Sequence, residues 1–215
     1  MLIILYIIFT LVFELQVPHY QLFLLLGIIF WNMLSESTTI AMQSLIAKAS
    51  LFTKTNFPPI LIVLASVCTS FINFLINLCI FFIIAVLLKV QFSVHALLLI
   101  LYLAEIFALT LGLSLILCAY YPKFRDLQHI WNLVLLIGFW ITPIIYRETS
   151  IPFQYLKFYM LNPLARIINE ARDILIFNYL PEGKQIFITL AIVSTIFIFG
   201  MLIFYQNQES FAEEL

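Results

Sequence analysis

Two acidic residues, Glu36 and Glu105, stand inside long apolar stretches of this 215-residue chain. A carboxyl group there is costly to keep, so each is a candidate for binding a proton or recognising a polar group. Glu36 belongs to a set with Asn32, Thr39 and Gln43, whose offsets of four, seven and eleven place them on one helix face. Ser66, Ser70, Asn73 and Asn77 repeat those offsets. Such faces must meet another helix or water, so they are either adhesive between helices or the lining of a pore. Asn32, Glu36, Asn73 and Asn77 are the candidate lining. Glu105 fits better as a structural carboxyl, paired or protonated. Glu170 and Asp173 form the one clustered pair suited to acid–base work, and neighbouring arginines account for them as ion pairs on a helix surface.

Other chemistries lack their residues. The single Gly-Lys pair, Gly183-Lys184, has Asn178 where a phosphate loop needs its first glycine and Gln185 where it needs Ser or Thr. The chain therefore cannot cradle a nucleotide by that route. There is no zinc-binding H-E-x-x-H and no G-x-S-x-G nucleophile turn. His19, His95 and His129 lie far apart at segment ends, and Cys68, Cys79 and Cys118 read as small hydrophobes. No catalytic residue, metal or cofactor is expected on this chain.

The elements that must position these residues follow from composition. Hydrophobic residues make up 64 % and charged residues 10 %, with a mean hydropathy of +1.12. A soluble domain carries about 25 % charged residues. Ten basic against eleven acidic residues leave no field for nucleic acid. The expectation is an all-α polytopic membrane protein, a single domain over 1–215, with six spans. These run over 1–16 and about 22–46, 60–88, 94–119, 130–146 and 185–205. At about 1.5 Å per residue the first reaches only some 20–24 Å, short of a hydrocarbon core of about 30 Å, so it reads as truncated. Its lack of basic residues argues against a cleaved signal peptide.

Residues 48–59 and 120–128 are short polar breaks, and 206–215 is an acidic tail. The stretch 147–184 is longer. Asn162-Pro163 supplies a helix cap and a first-turn proline. Leu164, Ile167, Ile168, Ala171, Ile174 and Leu175 then share one face, and Arg166, Asn169, Glu170, Arg172 and Asp173 the other. That predicts an amphipathic interfacial or re-entrant helix. Thr142-Pro143 should end the fifth segment's helix. Ala104, Ala108 and Gly112 form a ladder for close helix approach. Trp140, Tyr146, Tyr155, Tyr159 and Tyr179 form a candidate aromatic belt.

Several stretches together resemble one family. Ser44-Leu45-Ile46-Ala47-Lys48 followed by Asn56-Phe57-Pro58, then Tyr121 to Leu127 with Arg125-Asp126-Leu127, then Thr142-Pro143-Ile144-Ile145-Tyr146, then Leu161-Asn162-Pro163-Leu164 with Ile167, Ile168 and Arg172, are similar in order and spacing to type-2 ABC transporter permeases. The pattern is that of the branch exporting O-antigen, capsule and teichoic-acid chains. The resemblance implies a homodimeric permease in the bacterial inner membrane. It would pair with separate ATP-binding subunits that carry ATP and Mg, and would move a lipid-linked glycan or polyol-phosphate polymer.

The resemblance also implies roles. Residues 48–59 would hold the coupling helix, with Lys48, Phe52, Lys54, Phe57 and Pro58 as contacts to the ATPase. Arg125 and Asp126 would face the same side, as a local ion pair. Pro143, Tyr146, Asn162, Pro163 and Arg172 would belong to outer gate helices. Family members usually begin with a cytosolic amphipathic helix, which the sequence given does not contain. With the N-terminus inside, four basic residues face the cytosol and six face out, against the positive-inside rule. The competing readings are a drug or small-lipid exporter, an ion-coupled carrier using Glu36 and Glu105, and a membrane enzyme using Glu170 and Asp173.

Overall fold

A computed structural model describes residues 19–49, 57–147 and 153–208. The expected first span, Phe52, Lys54 and all but the start of the acidic tail lie outside the described residues. The described elements are helices and turns, with no strand among them. In order they are α1 (Tyr20–Ala47), α2 (Pro59–Leu87), a 3-10 turn (Val94–Leu98), α3 (Leu99–Tyr120), α4 (Leu127–Ile141), α5 (Phe153–Tyr159), α6 (Pro163–Leu175) and α7 (Gly183–Asn207).

Four of these are long and apolar enough to cross a membrane: α1, α2, α3 with its leading 3-10 turn, and α7. The fifth expected span is shorter than the sequence suggested. The helix α4 has 15 residues, which reach only about 22 Å. It stops because Pro143 forces Thr142 into the extended region, at φ −75° and ψ 141°. A count of six spans is therefore not what the described residues display.

The ends of the helices follow local chemistry. Pro59 occupies the first turn of α2, where its missing N–H is harmless. At the other end Lys89 adopts φ 57°, and the Val90 and Lys89 amides return to the Ala85 and Val86 carbonyls. This is a Schellman stop built on lysine instead of glycine. Asn162 caps α6 as its sequence predicts, accepting from the Leu164 and Ala165 amides at 3.0 and 3.3 Å.

The helix α1 is central, packed mainly on α2 and α3, and α3 packs equally closely on α7. Lipid tails are as apolar as leucine, so association in a bilayer depends on close fit. The tightest point is glycine on glycine. A Cβ at Gly200 would fall on the Gly112 carbonyl oxygen, and one at Gly112 would lie 2.8 Å from the Phe197 Cα. Gly112 belongs to the expected small-residue ladder, and its partner Gly200 was not singled out. The small helix α6 packs against α1, α3 and α7.

The chain alternates direction, so one end of the bundle carries Lys48, Pro58 and the turn 121–126. The opposite end carries Tyr20, the 3-10 turn, the Pro143 break and α6. Two contacts tie that end together: Asn178 donates to the Gln91 carbonyl at 2.9 Å, and the Tyr20 hydroxyl donates to the Ile145 carbonyl at 2.9 Å.

Gly200→Ala should separate α3 from α7. The expected result is a thermal midpoint in mild detergent lowered by overpacking worth about 1–3 kcal/mol. Leu190→Ala, on the exposed side of the same helix, should change it far less.

Candidate functional site

The break after α4 frees backbone carbonyls, and a freed carbonyl in an apolar interior needs a donor. The structure supplies Arg172. Its Nε and Nη2 donate to the Phe23 carbonyl at 3.2 and 2.8 Å, its Nη2 also to the Ile144 carbonyl at 2.8 Å, and its Nη1 to the Pro143 carbonyl. The guanidinium lies over the Phe23 ring, 3.4 Å from the centroid. Its planar fork can reach several acceptors at once, which lysine cannot. The approach is possible because residue 27 is glycine: a Cβ there would collide with Nη2 and stand 3.2 Å from the Ile144 oxygen.

The expected outer-gate residues do come together around this clamp. Asn162, while capping α6, donates through Nδ2 to the Thr142 hydroxyl at 3.2 Å. The two proline-bearing motifs, Thr142-Pro143 and Asn162-Pro163, therefore meet. Tyr146 turns its hydroxyl back to the Trp140 and Ile141 carbonyls, at 3.1 and 2.7 Å, and so finishes the last turn of α4. Arg147 stacks 4.3 Å over Phe177.

The arginine–carboxylate pairing expected on the surface of α6 is instead internal: Arg166, Glu170 and Arg172 are buried, at 7, 4 and 1 % exposure. The reason is that α1, α3 and α7 pack around the helix, with α1 and the Pro143 break taking Arg172. Arg166 donates to the Thr189 hydroxyl at 2.8 Å and the Gln185 carbonyl at 2.9 Å, and Thr189 donates to Glu170 at 2.6 Å. Arg166 lies 4.0 Å from Glu170, so the pair is real but internal. Glu105 comes from α3 into the same region. Both of its carboxyl oxygens are buried without a hydrogen bond, and the Tyr102 hydroxyl lies beside Glu170. Burial is the largest influence on Glu170 and raises its carboxyl above the usual range, against the Thr189 hydrogen bond and Arg166.

At the other end, Lys48, Phe57, Pro58, Arg125 and Asp126 are exposed. Arg125 turns toward the Tyr121 ring, 5.9 Å from its centroid, rather than pairing with Asp126 as the sequence suggested. Arg166 and Arg172 are internal structural charges, so two of the six basic residues expected on the outer side are buried in the bundle.

The candidate pore face is split. Ser66 and Ser70 are buried, whereas Asn32, Asn73 and Asn77 are exposed and Glu36 is half-exposed. Asn73 donates to Glu36 at 3.1 Å, joining α2 to α1. An open groove of about 330 Å³ runs along Asn32, Ser35, Glu36, Thr39 and Ile40.

Three outcomes follow. Arg172→Lys should lower the thermal midpoint sharply, because carbonyls left unpaired cost about 1–3 kcal/mol each. Gly27→Ala should do the same by displacing Arg172, measured in the same assay. The folded-state carboxyl of Glu170 lies above its unfolded value, so its contribution favours folding in acid and is lost as pH rises through the raised value. Glu170→Gln should flatten that part of the stability profile.

A family model described as ABC-2 type transporter matches residues 1–176. Relatives named O-antigen export system permease protein RfbA come from Klebsiella pneumoniae and Myxococcus xanthus. The first is 32 % identical over 215 residues, covering 98 % of this chain and 81 % of the relative. The second is 27 % identical over 210 residues, covering 96 % and 80 %. With most of the chain matched, this protein belongs to the ABC-2 type transporter family and is a membrane permease subunit.

Proposed function

We propose that this chain is the membrane half of an ATP-driven exporter of a lipid-linked polysaccharide, seated in the bacterial inner membrane. The observation that carries the reading is the match along nearly the whole chain to permeases named for O-antigen export. Two copies would pair with two ATP-binding subunits, which would hold ATP and Mg. Residues 1–16 and α4 would complete six spans, α4 with the chain through the break. The N-terminus would lie in the cytosol.

The mechanism would be mechanical, with no bond broken in the substrate. Closure of the ATP-binding subunits would push on residues 48–59, with Lys48, Phe52, Lys54, Phe57 and Pro58 as the contact set and Arg125 and Asp126 beside it. The exposure of Lys48, Phe57 and Pro58 supports this use. The push would travel along α1, whose far end is tied to the Pro143 break through Arg172. Pro143, Tyr146, Asn162, Pro163 and Arg172 would form the outer gate's frame. Asn32, Glu36, Asn73 and Asn77 would line the path between the two copies, since a polar face turned to lipid is unfavourable.

Purification of the tagged chain from native membranes in mild detergent should bring an ATP-binding subunit with it in equal amount. Lys54→Glu with Phe57→Ala should reduce that recovery several-fold while leaving the permease folded. Unchanged recovery would rule out the loop as the docking site.

A further inference from the structure

The polar groove on α1 and α2 has a composition that restricts what can pass along it. Neither helix contains a lysine or an arginine anywhere in its length. The groove offers amide, hydroxyl and carboxylate groups from Asn32, Ser35, Glu36 and Thr39 of α1, with Asn73 of α2 bonded to Glu36 beside it. Its one charged residue is acidic. Glu36 is held by the Asn73 amide at 3.1 Å, with no cation in reach on either helix. The nearest described cation along α1 is Arg172 at Gly27, nine residues or about 14 Å away by helical rise. It is turned to the buried side and spent on carbonyls. The other charged groups on elements packed against α1, namely Glu105, Arg166, Glu170 and Asp173, lie on α3 and α6 in the interior or at the far end.

From this we infer that Glu36 makes the groove a filter selecting an uncharged, hydroxyl-rich chain over a phosphate-rich polyanion. The inference rests on the pore-lining reading above and deepens it by naming the substrate class. Hydroxyls of a neutral glycan can donate to Glu36 and accept from the asparagine amides. Successive repeats find the same kind of partners, so the chain can slide. A polyol phosphate meets a carboxylate at every repeat, with no guanidinium or ammonium group on α1 or α2 to offset it. A single phosphate at a lipid anchor crosses the groove once, whereas a phosphate in each repeat crosses many times.

The test is charge-selective labelling of the full chain in native membranes. Cys68, Cys79 and Cys118 are replaced by Ala, and Asn32→Cys or Asn77→Cys is introduced as the reporter. Labelling rates are compared for a trimethylammonium methanethiosulfonate and a sulfonate methanethiosulfonate, each normalised to a free thiol. The cation should react about tenfold faster than the anion, as expected for one carboxylate near the reporter in a poorly screened groove. Glu36→Gln should bring the two rates to within about twofold. Neutral dextran oligomers should slow labelling at Asn77→Cys more than poly(glycerol phosphate) does.

Equal rates for the two reagents would overturn the filter while leaving a water-filled path intact. Equal or greater protection by poly(glycerol phosphate) would overturn it as well. Failure of both reagents to label either reporter would overturn the pore-lining reading itself, and the filter with it.

Discussion

A backbone that stops being helical inside a membrane protein must find donors for the carbonyls it exposes, and in this chain one arginine supplies them at the break itself, with Tyr20 and Tyr146 on either side. Pro143 breaks α4, and the fork of Arg172 gathers the Pro143 and Ile144 carbonyls together with that of Phe23. Three separate stretches, the start of α1, the break and α6, are thereby held at one point. The charge is kept among carbonyl dipoles and over an aromatic ring, which lowers the cost of burying it. Everything at that end is arranged to permit this contact: glycine at 27, Asn162 bridging to Thr142, and Tyr146 closing the last turn of α4.

The same economy governs the interior. Helices in lipid gain little from apolar contact alone, so this bundle uses two other devices. One is the glycine crossing of α3 and α7, where backbone meets backbone. The other is the buried set of Arg166, Thr189 and Glu170, which joins α6 to α7, with Glu105 and Tyr102 of α3 beside it. By contrast α4 has a single buried residue, Leu135. It is held by few side chains, notably Trp131, which donates to Thr38 at 2.9 Å, and Gly138 under the Trp31 ring. The closely packed part of the fold is therefore α1, α2, α3 and α7 with α6 between them, and α4 is attached to it more lightly.

That division suits a mechanical permease. The exposed residues proposed as the docking end and the arginine clamp lie at opposite ends of α1, a helix of 28 residues. In the proposed mechanism a displacement at Lys48 would be carried along α1 to the point where the chain is already broken. A polar groove open along the outside of that helix is where a hydrophilic chain would meet the least lipid.

Much of this was legible in the sequence because it depends on local chemistry. Apolar runs set the spans, Asn162-Pro163 set the start of α6, and Pro143 set the end of α4, since caps and prolines act within a turn or two of themselves. The motif order was enough to identify the family. What the sequence left open was which faces are covered. The pattern of α6 reads as ion pairs on a helix surface because helical periodicity reports polarity and not depth, and only packing against α1, α3 and α7 turns Arg166, Glu170 and Arg172 inward. Nor does spacing reveal that Gly200 lies on Gly112, that Gly27 makes room for Arg172, or that Ser66 and Ser70 are buried while Asn73 and Asn77 are not. Those are distances between residues far apart in the chain, and they exist only once the helices have chosen their neighbours.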